Sequence, residues 1–165
     1  PILKWSATLE QVAEKTAISR FTEALTLINE NADKAPKNGL WAWRFLTTQS
    51  AGFIDDLKKM ENWEVKSKEG IDLKPTGANV LGIILENGKT REFRDLDPTS
   101  LIRAHTIARE GLEPAENRAR LVHAIAYAWQ IGLTDVAESQ AEQLAETDEQ
   151  FRSDWKRVIV GLSEE

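Results

Sequence analysis

From Trp63 the pattern changes to alternation by two, through Trp63, Val65 and Ser67 and then Ile71 and Leu73, whereas before residue 63 and after residue 96 the apolar residues recur every three and four. A period of two places side chains on alternate faces of a strand, and a period near 3.6 places them on one stripe of a helix. A chain with this pattern cannot be a plain helical bundle. It must enclose a small β unit between two helical parts, which predicts a predominantly helical α+β fold.

The length of 165 residues suits one domain, with sub-regions 1–62, 63–96 and 97–165. In the first sub-region Thr8 and Gln11 fit a capping box. Leu9, Ala13, Ala17, Phe21, Ala24 and Ile28 then form one stripe, predicting a helix of about six turns. A second helix is expected from Gly39 to Met60, with Trp43, Leu46, Ser50, Phe53, Leu57 and Met60 as the seam facing the first. Together they make an N-terminal helical hairpin. Trp41 and Phe45 fall on another face, so they are expected to pack on the middle segment or to offer an aromatic surface to a partner. The six Trp residues are read first as packing residues, because each brings large apolar area and one N–H donor.

In the middle, Trp63, Val65 and Ser67, then Ile71 and Leu73, alternate as strands, and Pro75-Thr76-Gly77 signals a turn. Val80 to Leu85 is short and almost wholly apolar, which predicts the central, most buried strand. Asn87-Gly88 is a type I′ turn signal, with Thr90 to Arg94 as the returning strand. A two-residue loop sets Ile84 opposite Arg91 and Gly82 opposite Phe93. That face pairing is imperfect, so a loop longer by one residue stays open. Short antiparallel strands over about residues 63–94 suit a small SH3-like unit packed on helices.

Asp97 before Pro98 marks the next helix start, with Leu101, Ala104, His105 and Ala108 giving a short helix and Gly111 as the stop. Pro114 opens a helix through Leu121, Ala124, Ile125, Ala128 and Trp129 to Gly132. Thr134 caps another, with Val136, Ala137, Ala141 and Leu144 inward. The last helix carries Phe151, Trp155, Val158, Ile159 and Leu162, completing a C-terminal helical bundle.

The run AIAYAWQIGLTDVAESQAEQLAE resembles a tetratricopeptide-type hairpin, one degenerate unit over about 121–146. Gly132 ends its first helix, Ala137 follows five residues later, and Ala141 and Leu144 continue the packed face. A single unit forms no concave peptide groove, so no ligand follows from the resemblance. From about residue 63 to 162, the β unit ending in Phe93-Arg94-Asp95-Leu96-Asp97-Pro98 and the helices after it resemble non-catalytic accessory modules of large bacterial multidomain proteins, including some with Ser/Thr kinase domains. Because the chain opens on Pro1, it is expected to be a piece of a longer protein.

Chemistry is sparse in the sequence. Gly88-Lys89-Thr90 ends like a phosphate-binding loop, but Gly82 stands one residue too far upstream and a strand follows, so no nucleotide cofactor is expected. With no Cys, thiolate catalysis and Cys-ligated zinc are excluded. His105 and His123 are the two imidazoles, and their spacing matches no metal motif, so surface or half-buried histidines are expected. Asp55-Asp56 followed by Lys58-Lys59 is read as a solvated helix face.

The net charge of −6 is concentrated in residues 134–165, where nine acids face three bases. An acidic end and a balanced body speak against nucleic acid and anionic membranes. Lys89, Arg91, Arg94 and Arg103, with Arg109, form a small basic group that could face an acidic peptide. The expected function is therefore a non-catalytic protein-interaction or scaffolding module. Two other classes stay open. One is a hydrolase-type enzyme using His105 or His123 with a carboxylate; the other is an SH3-like reader of peptide or nucleic acid.

Overall fold

The stripe from Leu9 to Ile28 is not one helix. The computed structural model describes residues 2–164 and shows α1 (Ile2–Ala17) and α2 (Phe21–Glu30) parted at Ser19, whose φ is 61°. Ser19 N–H bonds Thr16 O and Arg20 N–H bonds Lys15 O, closing α1 so that α2 packs beside it. Trp5 and Val12 of α1 bury against Ala24 and Ile28 of α2. The break hides in the sequence because Ile18-Ser19-Arg20 contains neither Gly nor Pro, the usual punctuation. Thr8 also does not cap a helix. It lies inside α1, with its hydroxyl donating to Lys4 O at 3.1 Å.

Helix α3 (Lys37–Lys58) packs on α2 as in a hairpin and is also the central element, in contact with the later α5 and α7. Its expected seam divides among several neighbours. Trp43 joins the α1–α2 cluster, and Leu46 meets Ala126 and Val158 further along the chain. Phe53, Leu57 and Met60 enter the main core with Phe21, Ile83, Leu101 and Tyr127. Small or short residues of α3, Ser50 in the seam and Ala42 and Thr47 beside it, are buried too, which permits close approach from more than one side. Gln130 satisfies two of these hydroxyls: Ser50 Oγ donates to its Oε1 at 2.6 Å and its Nε2 donates to Thr47 Oγ1 at 3.1 Å.

The fold is α+β and predominantly helical, 67% helix with small antiparallel sheets of two and three strands. Strands β1 (Val65–Lys66) and β2 (Asp72–Leu73) pair with each other. Strands β3 (Pro75–Ala78), β4 (Gly82–Leu85) and β5 (Thr90–Glu92) form the second sheet in that order. Pro75-Thr76-Gly77, expected as a turn, is thus a strand. Its Pro lies at the strand start on an outer position, where the missing N–H costs no ladder bond.

Strand β4 is central, and Ile83 is fully buried, but Val80 and Leu81 are 55% and 47% exposed. Asn79 explains the correction. Its Oδ1 accepts from the N–H groups of Leu81 (2.9 Å) and Gly82 (3.2 Å), which makes 79–82 a turn and delays the strand to Gly82. Ile84 pairs with Thr90 and Ile83 with Arg91, so the next loop is one residue longer than a type I′ hairpin. Leu85 O accepts from Gly88 N–H, Leu85 N–H donates to Lys89 O, and Gly88 takes φ 79° as the residue closing a three-residue loop.

Helix α4 (Pro98–Ala108) begins at Asp97-Pro98 as expected, although the Asp97 side chain makes no capping bond. Helices α5 (Pro114–Gln130), α6 (Thr134–Thr147) and α7 (Glu149–Leu162) follow. Val136, expected inward, is 38% exposed, and Ile159 of the last helix is 44% exposed. Asp148 caps α7 through Phe151 N–H at 2.9 Å and accepts two bonds from Arg118 of α5. Among the described residues no helix is long and apolar enough to cross a membrane.

Candidate functional site

Three groups of residues compete for a functional reading: the polar residues that could do chemistry, the surface residues singled out in the sequence, and the clefts.

The polar centre is Asp56. It was expected on a solvated face, yet its side chain is 4% exposed, while the neighbouring Asp55 is 63% exposed and pairs with Lys58 at 3.1 Å. Helical phase accounts for the difference. Asp56 follows Phe53 by three and precedes Met60 by four, so it lies on the stripe that enters the core. His105 Nε2 on α4 and His123 Nδ1 on α5 each lie 2.9 Å from the same oxygen, Asp56 Oδ2. Arg120 Nε is 3.8 Å from Oδ1 and also pairs with Glu116.

Burial on its own would raise the Asp56 pKa, but hydrogen bonds from His105 and His123 outweigh it and hold the carboxyl at about 2. Asp56 is therefore an anion at neutral pH. The neutral His105 ring presents its Nε2–H to this anion, which leaves its second ring nitrogen a bare acceptor. That nitrogen, Nδ1, is buried and has no partner. Burial pushes the His105 pKa below its ordinary value, against the pull of Asp56. His105 is fully buried, contrary to the surface or half-buried expectation, and its ring lies 4.5 Å from that of Phe53. His123 is half-covered, with Nε2 against Gly52, where a Cβ would come within 2.6 Å of it.

Both histidines converge on one oxygen, so hydrogen bonds fill the centre of the cluster. Among the described residues no group of three or more His, Asp or Glu is placed to hold a metal ion. The signal that could have found the site is helical phase: His105 follows Leu101 by four and shares with it the buried stripe of α4.

The basic residues are only partly free. Arg94 lies 2.8 Å from Glu92, and Arg91 lies 3.9 Å from Glu69. Lys89 is exposed on the hairpin. Arg103 is exposed on α4, beside a cleft of about 200 Å³. Arg109 departs from the group: it is half-buried, with its Nε unpartnered, near enough to Asp56 to feel its charge. Trp41 and Phe45 stack on each other at 5.1 Å and are half-buried. They pack against Trp129, Trp155 and neighbours from the C-terminal helices, not on the β unit, and the Arg157 guanidinium lies 4.3 Å over the Trp41 ring. Their stacking faces are engaged within the chain.

A cleft of about 650 Å³ lies between the start of α2, the outer side of α3 and the 79–82 turn. Phe21, Ala51 and Ile54 form its floor, and the exposed Val80 and Leu81 form one lip. Its charged rim pairs internally: Lys58 with Asp55, and Arg20 with Glu23 and Glu92. A second cleft of about 490 Å³, near Met60 and Trp63, has Glu61, Glu64 and Glu86 around it. Neither cleft, nor the small one beside Arg103, is lined by Asp56, His105 or His123.

No family model matches the chain, and no curated protein or solved structure is similar enough to carry an argument.

Proposed function

We propose that the chain is a non-catalytic protein-interaction module, and that it receives aliphatic side chains of a partner protein in the cleft between α2, α3 and the 79–82 turn. The observation that carries this reading is the lip. Val80 and Leu81 stand adjacent and about half-exposed, on a turn fixed by the Asn79 side chain, over an apolar floor. Adjacent exposed aliphatics over a concave apolar floor are a usual mark of a recognition site. A turn already held in shape lowers the ordering cost of binding. The rim charges are neutralised within the chain, so the affinity would come from apolar burial and be weakly dependent on salt. The resemblance to accessory modules of bacterial multidomain proteins implies a role of the same kind.

Photo-crosslinking in cells tests the reading in the full-length protein. A crosslinker at position 81 should give a discrete adduct that is lost in Ala51→Trp, which fills the cleft. A probe at Glu138, on an exposed part of α6, should give none. Equal labelling from both positions would contradict the assignment.

A second reading, a hydrolase-type enzyme, has one observation in its favour: Asp56 orients the half-exposed His123, as a base-orienting carboxylate does. Ester hydrolysis above the buffer rate that falls on His123→Gln would move the assignment to it. A rate equal to buffer favours the first reading.

A further inference from the structure

Helix α4 is tied firmly to the β unit. Ser100 Oγ accepts from Lys66 N–H at 2.8 Å, Asp97 N–H donates to Lys66 O and Lys68 N–H donates to Asp95 O, both at 2.9 Å. Its link to the helical scaffold combines apolar burial at Leu101 and Ile102 with the bond between His105 and Asp56. The groups facing His105 come from three helices. Asp56 and the Phe53 ring face it from α3, Arg109 from its own helix, and His123 from α5. Arg120 of α5, paired with Glu116, stands on the other oxygen of Asp56.

A proton added to His105 meets two obstacles. The new N–H at Nδ1 is buried with no acceptor, and leaving a donor unsatisfied is costly. The new positive charge also joins Arg109 and Arg120 around a single buried carboxylate. The neutral ring has neither difficulty.

We propose that the Asp56–His105 contact is an acid-released latch. At neutral pH it fastens α4, and with it β1 and β2, to α3 and α5; proton uptake by His105 on mild acidification frees α4 while α3, α5 and α7 stay packed. The trigger is not Asp56, which remains ionised far below this range. Leu46, Ala126 and Val158 join α3, α5 and α7 with no titrating group among them, whereas α4 adds the His105–Asp56 bond to its apolar contacts at Leu101, Ile102 and Ala104. In the freed state His105 regains its ordinary pKa near 6.5, so below that pH each further unit favours release, by up to about tenfold. The latch uses residues outside the cleft and stands whether or not the cleft binds a partner.

Hydrogen–deuterium exchange at pH 7.5 and 5.5, with times rescaled for intrinsic exchange, tests it on the intact protein. Peptides covering 98–108 and 65–73 should lose protection at pH 5.5 by up to about tenfold relative to those of α5 and α7. His105→Gln, whose amide donates to Asp56 but takes up no proton, should remove the difference. Unchanged protection of α4, equal loss across α4, α5 and α7, or a loss that persists in His105→Gln would overturn the latch. Should that variant fail to fold, NMR titration of the native protein decides. His105 must take up its proton over the same pH range in which α4 opens, and a ring that stays neutral while α4 opens would contradict the proposal.

Discussion

Asp56 Oδ2 and His105 Nε2 lie 2.9 Å apart at a junction of three helices, with the two side chains 4% and 0% exposed. An ionised carboxylate at such a place is held by its donors, and the donors by it. Removing it leaves His105 and His123 without their acceptor. Asp56→Ala should therefore destabilise the protein by about 3 to 5 kcal/mol. Asp55→Ala, one residue away on the exposed face, should change stability by less than about 0.5 kcal/mol. Urea unfolding of the two variants measures both.

The same pair sets the pH dependence of global stability. His105 has a folded pKa below 6.5, so the folded state binds fewer protons than the unfolded chain below that value, and stability falls as pH drops through 6.5. Asp56 adds a second limb: its stabilisation is complete above 3.8 and disappears as pH falls from 3.8 towards about 2. Asp148, also held at about 2 by hydrogen bonds from Arg118 and Phe151 N–H, acts in the same direction. The urea midpoint should be flat from pH 8 to 7, lower at 5.5 and lower again at 3. A midpoint that rises on acidification would contradict these assignments.

Gly52 and His123 are packed so closely that a methyl group has no room, the Cβ position being 2.6 Å from Nε2. Gly52→Ala favours the helix by propensity yet forces the imidazole aside. The clash should dominate, with a net loss of about 1 to 3 kcal/mol and displaced His123 ring resonances in NMR.

How much of this was legible in the sequence depended on whether the signal was local. Asp97-Pro98 before α4 and Gly132 after α5 carry their own steric instructions and fell where expected, and the alternation after Trp63 marks a β unit whose strand limits differ from those expected. The break at Ser19 did not, because its positive φ is taken by a residue that gives no such warning. Trp41 and Phe45 were assigned to their own face correctly but given the wrong neighbour, since helical phase fixes direction and not the element met there. Asp56 was missed for a different reason. Its charge suggested solvent although its phase pointed inward, and the two histidines that make burial tolerable lie 49 and 67 residues away.

The hairpin offers a local test. Gly88 sits at φ 79°, so Gly88→Ala should cost about 1 to 2 kcal/mol, whereas Lys89→Ala on the same exposed loop should be near neutral. Thermal unfolding of both distinguishes backbone demand from surface charge.

The cleft provides the most direct measurement. Peptides selected by display against the native protein should carry aliphatic side chains, and on binding should shift the methyl resonances of Ile54, Val80 and Leu81 while leaving those of Ile125 and Val158 unmoved. Ala51→Trp should weaken them by at least about tenfold, a change of about 1.4 kcal/mol. Peptides that bind equally well to the filled cleft, or that shift methyls elsewhere, would contradict the account of this chain as a module that binds through that cleft.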